Sequence, residues 1–297
     1  YIYAVSPFTP TCTDESSFVV TIVDTPVAFP VSAAQRTTCD EDGINDGITA
    51  FDLTTLTPAV LGAQTGTEFT VAYYESMANA QAGTNAVTQT TAATVFVKVT
   101  NTLTASCNDI KSIALIVNKL PEPKPIGGIV CYDSKNDVLL NPFTVQSGLS
   151  AATHTIQWFN DANELVGTGS SYVAVKPGDY TVVATSLATG CASAPTPVTV
   201  LPSEPAIVSY TMTDDFSDNM VLTVQAEGVG GDYEYQLDGG EFQDSPTFYD
   251  VSSGTHVVTV RDKNGCGSST SQALVINYPK FFTPNGDGYN DTWNITD

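Results

Sequence analysis

Hydrophobic and polar residues alternate with a period of two along most of the chain. Phe69, Val71 and Tyr73 are each separated by one residue, and of the adjacent Tyr73 and Tyr74 one ring should face inward and the other outward. Strands point successive side chains to opposite faces, whereas amphipathic helices repeat apolar positions every three or four residues. The pattern therefore predicts an all-β protein. The one stretch that favours a short helix is residues 58–62.

A unit recurs four times along the chain: a strand, a polar loop, a Cys, a second strand and a Pro. The four copies contain Cys12 and Pro26, Cys107 and Pro121, Cys191 and Pro202, and Cys266 and Pro279. The first two copies are in register, because equal numbers of residues separate their Cys and their Pro. Such repetition is typical of tandem modules. Pro fixes φ and stiffens the joints between them.

We therefore expect tandem immunoglobulin-like or PKD-like β-sandwich modules in an elongated rod. The predicted domains are the C-terminal tail of a preceding repeat at 1–29, a repeat at 30–122, an immunoglobulin- or PKD-like sandwich at 123–204, an immunoglobulin-like sandwich at 205–278 and the start of another domain at 279–297. Tyr180 opens a penultimate strand after a Gly turn, as a tyrosine corner requires. His256 takes the matching position in the last sandwich.

Acidic residues number 32 and basic residues 10, which gives a formal net charge of −22. Such a chain lacks the cations that neutralise phosphates, so nucleic acid is excluded as a partner and anionic membrane surfaces are disfavoured. Only 14% of the residues are charged and 42% are hydrophobic, which favours folded domains. No apolar run is long enough to span a bilayer. Because the first residues lack the features of a signal peptide, we expect an internal piece of a longer product.

Six Cys at wide spacing, with no Cys-x-x-Cys pair and only two His, favour disulfides in an oxidising compartment over a zinc site. If each complete module closes its own bridge, the pairs are Cys39–Cys107 and Cys131–Cys191. Cys12 and Cys266 are then unpaired or bonded to an external partner. A Cys12–Cys39 bond across a Pro-rich joint is the competing arrangement.

We expect no catalytic residue and no enzymatic activity. Neither His stands in a motif that activates a nucleophile or binds zinc. The sequence favours His256 as a structural corner residue and His154 as a core or half-exposed side chain. Trp158, Tyr172 and Tyr180 could form a sugar-stacking platform, but an inward Trp is more typical of a sandwich core.

Two clusters rich in Asp, Asn and Gly supply the oxygen ligands that calcium prefers. The candidate ligands are Asp40, Asp42, Asn45 and Asp46 in the first cluster, and Asn285, Asp287, Asn290 and Asp291 in the second. Neither cluster matches the helix–loop–helix pattern, because Ile44 and Tyr289 stand where that pattern needs an oxygen ligand. The alternative is a pair of Asx-type turns whose Gly residues take positive φ. Calcium is the one cofactor that the sequence suggests.

The end of the chain resembles a known family. The residues that carry the resemblance are Tyr278, Pro279, Phe281, Phe282, Pro284, Asn285, Gly286, Asp287, Gly288, Asn290, Asp291 and Trp293. This run is similar to the opening of the type B C-terminal sorting domain, also called gliding motility-associated, of proteins exported by the Bacteroidota type IX secretion system. Residues 261–267 look like the end of the sandwich that precedes this signal. Residues 39–43 with 51–53 resemble a repeat of large surface adhesins from the same bacteria.

The resemblance implies a non-enzymatic adhesin or stalk fragment, secreted to the cell surface with its C-terminal segment as the sorting signal and connected to gliding motility. The implied partners are the type IX translocon, outer-membrane anchoring proteins, and a surface polysaccharide or substratum as the adhesion target. The sorting domain should continue past Asp297. The alternatives are spacer or carbohydrate-binding modules of a secreted multidomain hydrolase, and a self-polymerising surface filament.

Overall fold

The computed structural model describes residues 2–5, 13–17, 22–213, 220–276, 282–288 and 291–292. The chain divides into two compact units, Tyr1–Leu120 and Pro121–Asp297, and each is considered by itself. The first unit ends at Leu120, two residues before the predicted domain end at residue 122. The Pro-rich run 121–125 follows directly. Strands dominate both units, so the prediction of an all-β protein is confirmed.

Among its described residues, the first unit contains strands of 2 to 11 residues and three short helical segments. Its strands are β1 (Ile2–Val5), β2 (Thr13–Ser16), β3 (Thr37–Cys39), β4 (Phe51–Asp52), β5 (Phe69–Tyr74), β6 (Gln89–Thr90), β7 (Thr94–Asn101), β8 (Thr104–Ala114) and β9 (Ile116–Asn118). The helical segments are a 3₁₀ turn (Leu53–Leu56), α1 (Thr57–Leu61) and α2 (Met77–Ala82). The strands pair as β1-β2, β3-β9, β4-β6 and β5-β7-β8, and β3 and β9 are parallel.

Alternation along β7 builds the core of the first unit. Val95, Val97 and Val99 are almost fully buried and alternate with half-exposed residues. They pack in one cluster with residues of β4, β5, the 3₁₀ turn and α1. The predicted short helix is present as α1, because Pro58 stands in its first turn, where an N–H would have no partner in the helix.

The second helix, α2, was not expected from the sequence. It begins after Ser76, whose hydroxyl accepts a hydrogen bond from the amide of Asn79. The helix packs against β5 and β7, and Tyr73 and Tyr74 are both buried. The expectation that one of these rings faces outward is therefore wrong, because a helix covers sheet surface that an isolated sandwich would expose.

The Pro-rich segment before β3, expected as a joint, is part of the first unit. The amide of Ala28 donates to Asp109 Oδ2 at 2.9 Å, and the amide of Phe29 donates to the carbonyl of Val60 at 2.9 Å. Ala28 is buried in the core. Ala28 and Val31 thus pack against the core of the first unit instead of belonging to a free linker.

The second unit contains two sandwiches with separate cores. The middle sandwich has β10 (Gly128–Asp133), β11 (Val138–Asn141), β12 (Phe143–Gln146), β13 (His154–Phe159), β14 (Leu165–Thr168), β15 (Ser171–Ala174), β16 (Gly178–Ser186) and β17 (Thr196–Ser203). The six-stranded sheet β11-β10-β17-β16-β13-β14 faces the pair β12-β15, and β10 and β17 are parallel. Trp158, fully buried, lies at the centre of this core, and its indole N–H donates to the carbonyl of Gly169.

The last sandwich has β18 (Ile207–Met212), β19 (Leu222–Glu227), β20 (Tyr233–Leu237), β21 (Thr247–Phe248), β22 (Gly254–Asp262) and β23 (Gly267–Val275). Its sheets are β18-β19-β21 and β20-β22-β23. The core between them is centred on Leu222, Val258, Val260 and Ala273. Within the described residues, the three cores confirm a tandem arrangement of β-sandwich modules.

Both predicted corner residues are confirmed. The Tyr180 hydroxyl donates to the carbonyl of Lys176 at 2.7 Å, which is the bond of a tyrosine corner. His256 Nε2 contacts the carbonyl of Ser252 at 2.8 Å, the same four-residue step back along the chain. A ring nitrogen therefore replaces the tyrosine hydroxyl in the last sandwich.

Candidate functional site: a disulfide-clamped joint between two sandwiches

Cys131 and Cys266 form a disulfide with a Cα–Cα distance of 5.1 Å and 135 residues of sequence separation. Cys131 lies on β10 of the middle sandwich, and Cys266 immediately precedes β23 of the last one. The bond therefore joins two modules. The predicted Cys131–Cys191 bridge is wrong, and so is the expectation that Cys266 is unpaired or bonded externally.

The register of β10 and β17 explains why the bridge within the middle module cannot form. Cys131 is paired with Ser203 at the end of β17, whereas Cys191 lies before the beginning of that strand. At about 3.3 Å per residue, β17 alone spans roughly 23 Å. A disulfide needs Cα atoms within about 7 Å of each other. The two cysteines of the module thus lie at opposite ends of it.

The first unit repeats this separation. Cys39 is paired with Asn118 at the end of β9, and Cys107 lies near the start of β8. Cys107 is a half-buried free thiol, so the predicted Cys39–Cys107 bridge is wrong. Cys39 and Cys191 are each disulfide-bonded. Cys12, and with it the competing Cys12–Cys39 bond, lies outside the described residues.

Asp262 organises the hairpin turn that carries Cys266. Its side chain is buried, with 2% of the residue exposed. Oδ2 accepts hydrogen bonds from the Ser203 hydroxyl at 2.8 Å and the Cys266 amide at 3.2 Å. Oδ1 accepts from the amides of Asp232 and Asn264, both at 3.2 Å. Four donors satisfy the carboxylate, as a buried charge requires.

The last residues of β17 pack directly onto this turn. Ser203 is fully buried, and the Asn264 side-chain amide donates to the Ser203 hydroxyl and to the carbonyl of Gly230. Gly230 has φ +69°, and a Cβ there would lie 2.1 Å from the carbonyl oxygen of Pro202. Only Gly permits this approach of the two backbones.

Glu204 connects the two sandwiches by hydrogen bonds. Its Oε2 accepts from the amide of Ser134 in the middle sandwich at 3.0 Å, and its Oε1 accepts from the amide of Val229 in the last one at 2.9 Å. Its carbonyl accepts from the Tyr233 hydroxyl at 2.9 Å. Burial raises the pKa of Tyr233 to about 12, with the nearby carboxylates of Asp262 and Glu204 adding to the shift.

The joint combines one covalent link with a set of satisfied polar contacts. The one covalent bond in it that can be broken and re-formed by reduction and oxidation is the disulfide. In the chain-entropy model, closing a loop of this length stabilises the folded state by about 5 kcal/mol. The arrangement is suited to holding two modules in a fixed relation under load.

Sequence reasoning missed Ser203, Glu204, Gly230 and Asp262. A signal was present, because Ser203 and Glu204 stand between Pro202 and Pro205. Polar residues in a Pro-flanked joint have few local hydrogen-bond partners. An acidic residue shortly before a Cys in a turn can accept hydrogen bonds from the amides of that turn.

The first acidic cluster forms a loop around a buried carboxylate. Asp40 is 1% exposed; its Oδ2 accepts from the Gly47 amide at 2.5 Å, and its Oδ1 has no hydrogen-bond partner among the described residues. Asp42 and Asp46 each accept an amide two residues ahead, as in Asx turns. Asn45 exchanges two hydrogen bonds with the backbone of Leu120. Asp42 and Asp46 thus organise the loop itself, and Asn45 ties the loop to Leu120.

In the second acidic cluster, Asp291 accepts hydrogen bonds from the amides of Asn285, Gly286 and Gly288 at 2.7–3.0 Å. The bond from Gly286 is the largest cause that lowers the pKa of the Asp291 carboxyl. The Asn285 side-chain amide donates to Asp287 Oδ2. Within the described part of the chain, which includes most of both clusters, no group of three His, Cys, Asp or Glu side chains is placed to hold a metal ion.

The predicted sorting motif is described only in part. Phe282, Pro284, Asn285, Gly286, Asp287, Gly288 and Asp291 are described, whereas Tyr278, Pro279, Phe281, Asn290 and Trp293 lie outside the described residues. Phe282 is exposed. The described part is the Asp291-centred loop.

The remaining aromatic and His candidates are structural. Trp158 and Tyr180 are buried in the middle core, and the half-buried Tyr172 lies between them with centroid distances of 6.0 Å to Trp158 and 5.1 Å to Tyr180. His154 is half-buried and contacts the Thr153 hydroxyl. His256 is buried and also contacts Asp238 through Nδ1 at 2.6 Å.

Residues 35–121 match the family model of the Flavobacterium inter-domain disulphide bond domain. The match covers less than a third of the chain, and its name supports a protein of the Bacteroidota. No curated protein matches the chain. None of the helices in the described part of the chain has the length and apolar character of a membrane span.

Several solved structures show a distant likeness to this chain. The immunoglobulin domains 1–4 of Sidekick-1 are 11% identical, with 84% of this chain and 74% of that chain covered and a TM-score of 0.32. Bovine butyrophilin is 9% identical, with 52% and 96% covered and a TM-score of 0.30. The human desmocollin-1 ectodomain is 14% identical, with 85% and 58% covered and a TM-score of 0.24. TM-scores this low carry no conclusion about function.

Proposed function

We propose that this chain is part of the stalk of a non-enzymatic surface adhesin. The observation that carries the proposal is the Cys131–Cys266 bond, which connects two separate hydrophobic cores. A stalk has to keep its modules in line while a load acts on both ends. A covalent link between neighbouring modules, supported by Glu204 and Asp262, meets that need. Disulfides and the matched bacterial domain support an extracellular or surface location.

The finer assignment follows from the terminal motif. We infer export by the type IX secretion system of the Bacteroidota, with the segment from residue 279 as the sorting signal and with a role in gliding motility. The partners would be the translocon and outer-membrane anchoring proteins, and the adhesion target a surface polysaccharide or substratum. Calcium in the first acidic loop belongs to the same proposal, since the Asp40 carboxylate has one oxygen without a hydrogen bond.

Pulling the chain from both ends tests the mechanical part. While the disulfide is closed, the 135-residue separation between its cysteines cannot extend. At about 3.5 Å per residue this hides about 470 Å of contour length, which should appear only after reduction. The double variant Cys131→Ser/Cys266→Ser should release part of this length without reductant, because the disulfide of Cys191, which lies inside the loop, remains closed. Cys107→Ser removes the free thiol and is the matched control. Equal extension of oxidised and reduced wild-type chain contradicts the proposal.

The sorting signal needs a separate experiment in a host with the type IX system. A reporter that ends in the complete terminal region should reach the cell surface, and the same reporter without residues 279–297 should remain in the periplasm. Surface display of both would refute the sorting role while leaving the stalk proposal intact.

The alternative from another class is a spacer or carbohydrate-binding module of a secreted hydrolase. Trp158 and Tyr180 are buried in the middle core and Tyr172 is half-buried against it, which argues against the sugar platform that the sequence offered. A spacer role remains compatible with a clamped joint. The complete gene separates the two, since an adhesin predicts many more such modules and a hydrolase predicts one larger, non-repeating domain.

A further inference from the structure

A cavity of about 450 Å³ opens in the first unit between residues 28–31 and the inner face of β7 and β8. Its floor is apolar and includes Ala28, Val97 and Ile113, all of which are buried. Phe29, partly exposed, forms part of the rim. Cavities of several hundred cubic ångströms with an apolar lining and a few polar groups are typical of small-molecule sites.

The charged residues that line this cavity are Arg36 and Lys111, and no Asp or Glu lines it. This is unusual in a chain with 32 acidic and 10 basic residues. Lys111 reaches the cavity because it is paired with Val97 across β7 and β8, and directly paired residues share one face of a sheet. The lining is therefore positively charged on one side and apolar on the other.

Arg36 is the stronger of the two candidate anion contacts. It is half-buried, and its Nη1 donates to the carbonyl of Ala114 at 2.8 Å, which fixes the guanidinium at the cavity. A guanidinium has five N–H donors, so the planar group retains donors for a carboxylate. Lys111 lies 3.5 Å from Asp109, whose other oxygen accepts from Ala28, and its charge is partly neutralised there.

We propose that this cavity binds a small organic carboxylate with an aliphatic or aromatic body. The carboxylate lies against Arg36, with Lys111 as a weaker second contact, and the body covers Val97 and Ile113. The charge of Lys111, whose side chain is 60% exposed on the edge strand β8, also has a purely structural explanation, since charges on an edge strand oppose edge-to-edge pairing of sheets. That explanation predicts no ligand and does not involve Arg36.

Titration of the purified chain with octanoate, followed by amide chemical shifts, tests the proposal. Octanamide has the same body without the charge and should bind about tenfold more weakly. Shifts should concentrate at residues 28–31 and 111–114. Octanoate that produces no shifts at millimolar concentration, or octanamide that binds equally well, overturns the proposal. This comparison uses the wild-type chain and requires no variant to fold.

Arg36→Gln should weaken octanoate binding about tenfold and leave octanamide unchanged, and Lys111→Gln should have a smaller effect. Lys98→Gln is the matched control, because Lys98 lies on β7, outside the cavity lining, and reaches the carbonyl of Gln81. If Arg36→Gln and Lys98→Gln bind octanoate alike, the carboxylate does not contact Arg36 and the proposal fails.

Discussion

Asp40 and Asp262 are two buried carboxylates that stand close in sequence to disulfide-bonded cysteines. Asp40 directly follows Cys39, and Asp262 precedes Cys266 by four residues and accepts its amide. Asp262 has four donors for its two oxygens, whereas Asp40 has one donor and an oxygen without a hydrogen bond. Burying a charged oxygen without a partner costs free energy.

The difference shows that burial alone does not make an acidic residue a structural anchor. At the joint, the turn amides and Ser203 converge on Asp262 from two modules. In the first acidic loop, Asp42 and Asp46 satisfy their own turns, Asn45 bonds the backbone of Leu120, and Asp40 accepts from Gly47. Asp262 therefore contributes to stability as it stands. The remaining Asp40 oxygen has no hydrogen-bond partner among the described residues.

The largest effect is expected at the joint. Asp262→Ala removes the acceptor of four donors and should lower the free energy of unfolding of the last sandwich by about 3 kcal/mol, because those donors become buried and unpaired. Denaturant melting measures it. Asp244→Ala, at an exposed position paired with Lys263, is the control and should change stability by less than about 0.5 kcal/mol. Similar losses for the two variants would show that the four contacts stabilise little.

Calcium should act on the first loop. If the ion occupies the free side of Asp40, wild-type chain at a hundred times the dissociation constant gains about 2.7 kcal/mol of stability, measured as a higher melting temperature than with chelator. Asp40→Asn should abolish the gain, and Asp291→Asn should retain it, since the Asp291 oxygens are already occupied by backbone amides. If the melting temperature is the same with calcium and with chelator, the proposal that calcium binds this loop is wrong.

His256 is a third buried titratable group, and its two ring nitrogens both face acceptors, Asp238 and the Ser252 carbonyl. The hydrogen bond to Asp238 raises the His256 pKa, and burial opposes the shift. The raised pKa stabilises the fold fully below the unfolded value of about 6.5, and the contribution disappears as pH rises through the folded value. We expect the free energy of unfolding, measured by melting at different pH values, to fall by on the order of 1 kcal/mol across that window. If the stability of His256→Gln depends on pH in the same way as that of the wild-type chain, this expectation is wrong.

The smallest effect is expected for replacement of Asp40 without calcium. Asp40→Asn removes a buried charge and keeps an acceptor for the Gly47 amide, so stability should change by less than about 1 kcal/mol. Asp262→Asn should be clearly destabilising, because its amide group would face backbone donors. Urea melting of the two variants under chelator compares them directly. Equal losses would mean that the two carboxylates are equally well satisfied.

Prediction from sequence succeeded where one segment determines the outcome. The alternation in β7 predicted one buried face, and Pro58 indicated the start of α1. The Gly turns before Tyr180 and His256 predicted the two corner hydrogen bonds. It failed for α2 and for the outward ring at Tyr73 or Tyr74, because the covering of a sheet face depends on distant packing.

The sequence by itself determined the strand content and the tandem arrangement of β modules, because these depend on local periodicity and on spacing along the chain. Tertiary structure decided which cysteines meet. In an extended module, the pairing of β10 with β17 separates Cys131 from Cys191 by the length of a strand, and the turn at Asp262 brings Cys266 to Cys131 instead. Distance in space, which spacing along the chain does not encode, selects the bond.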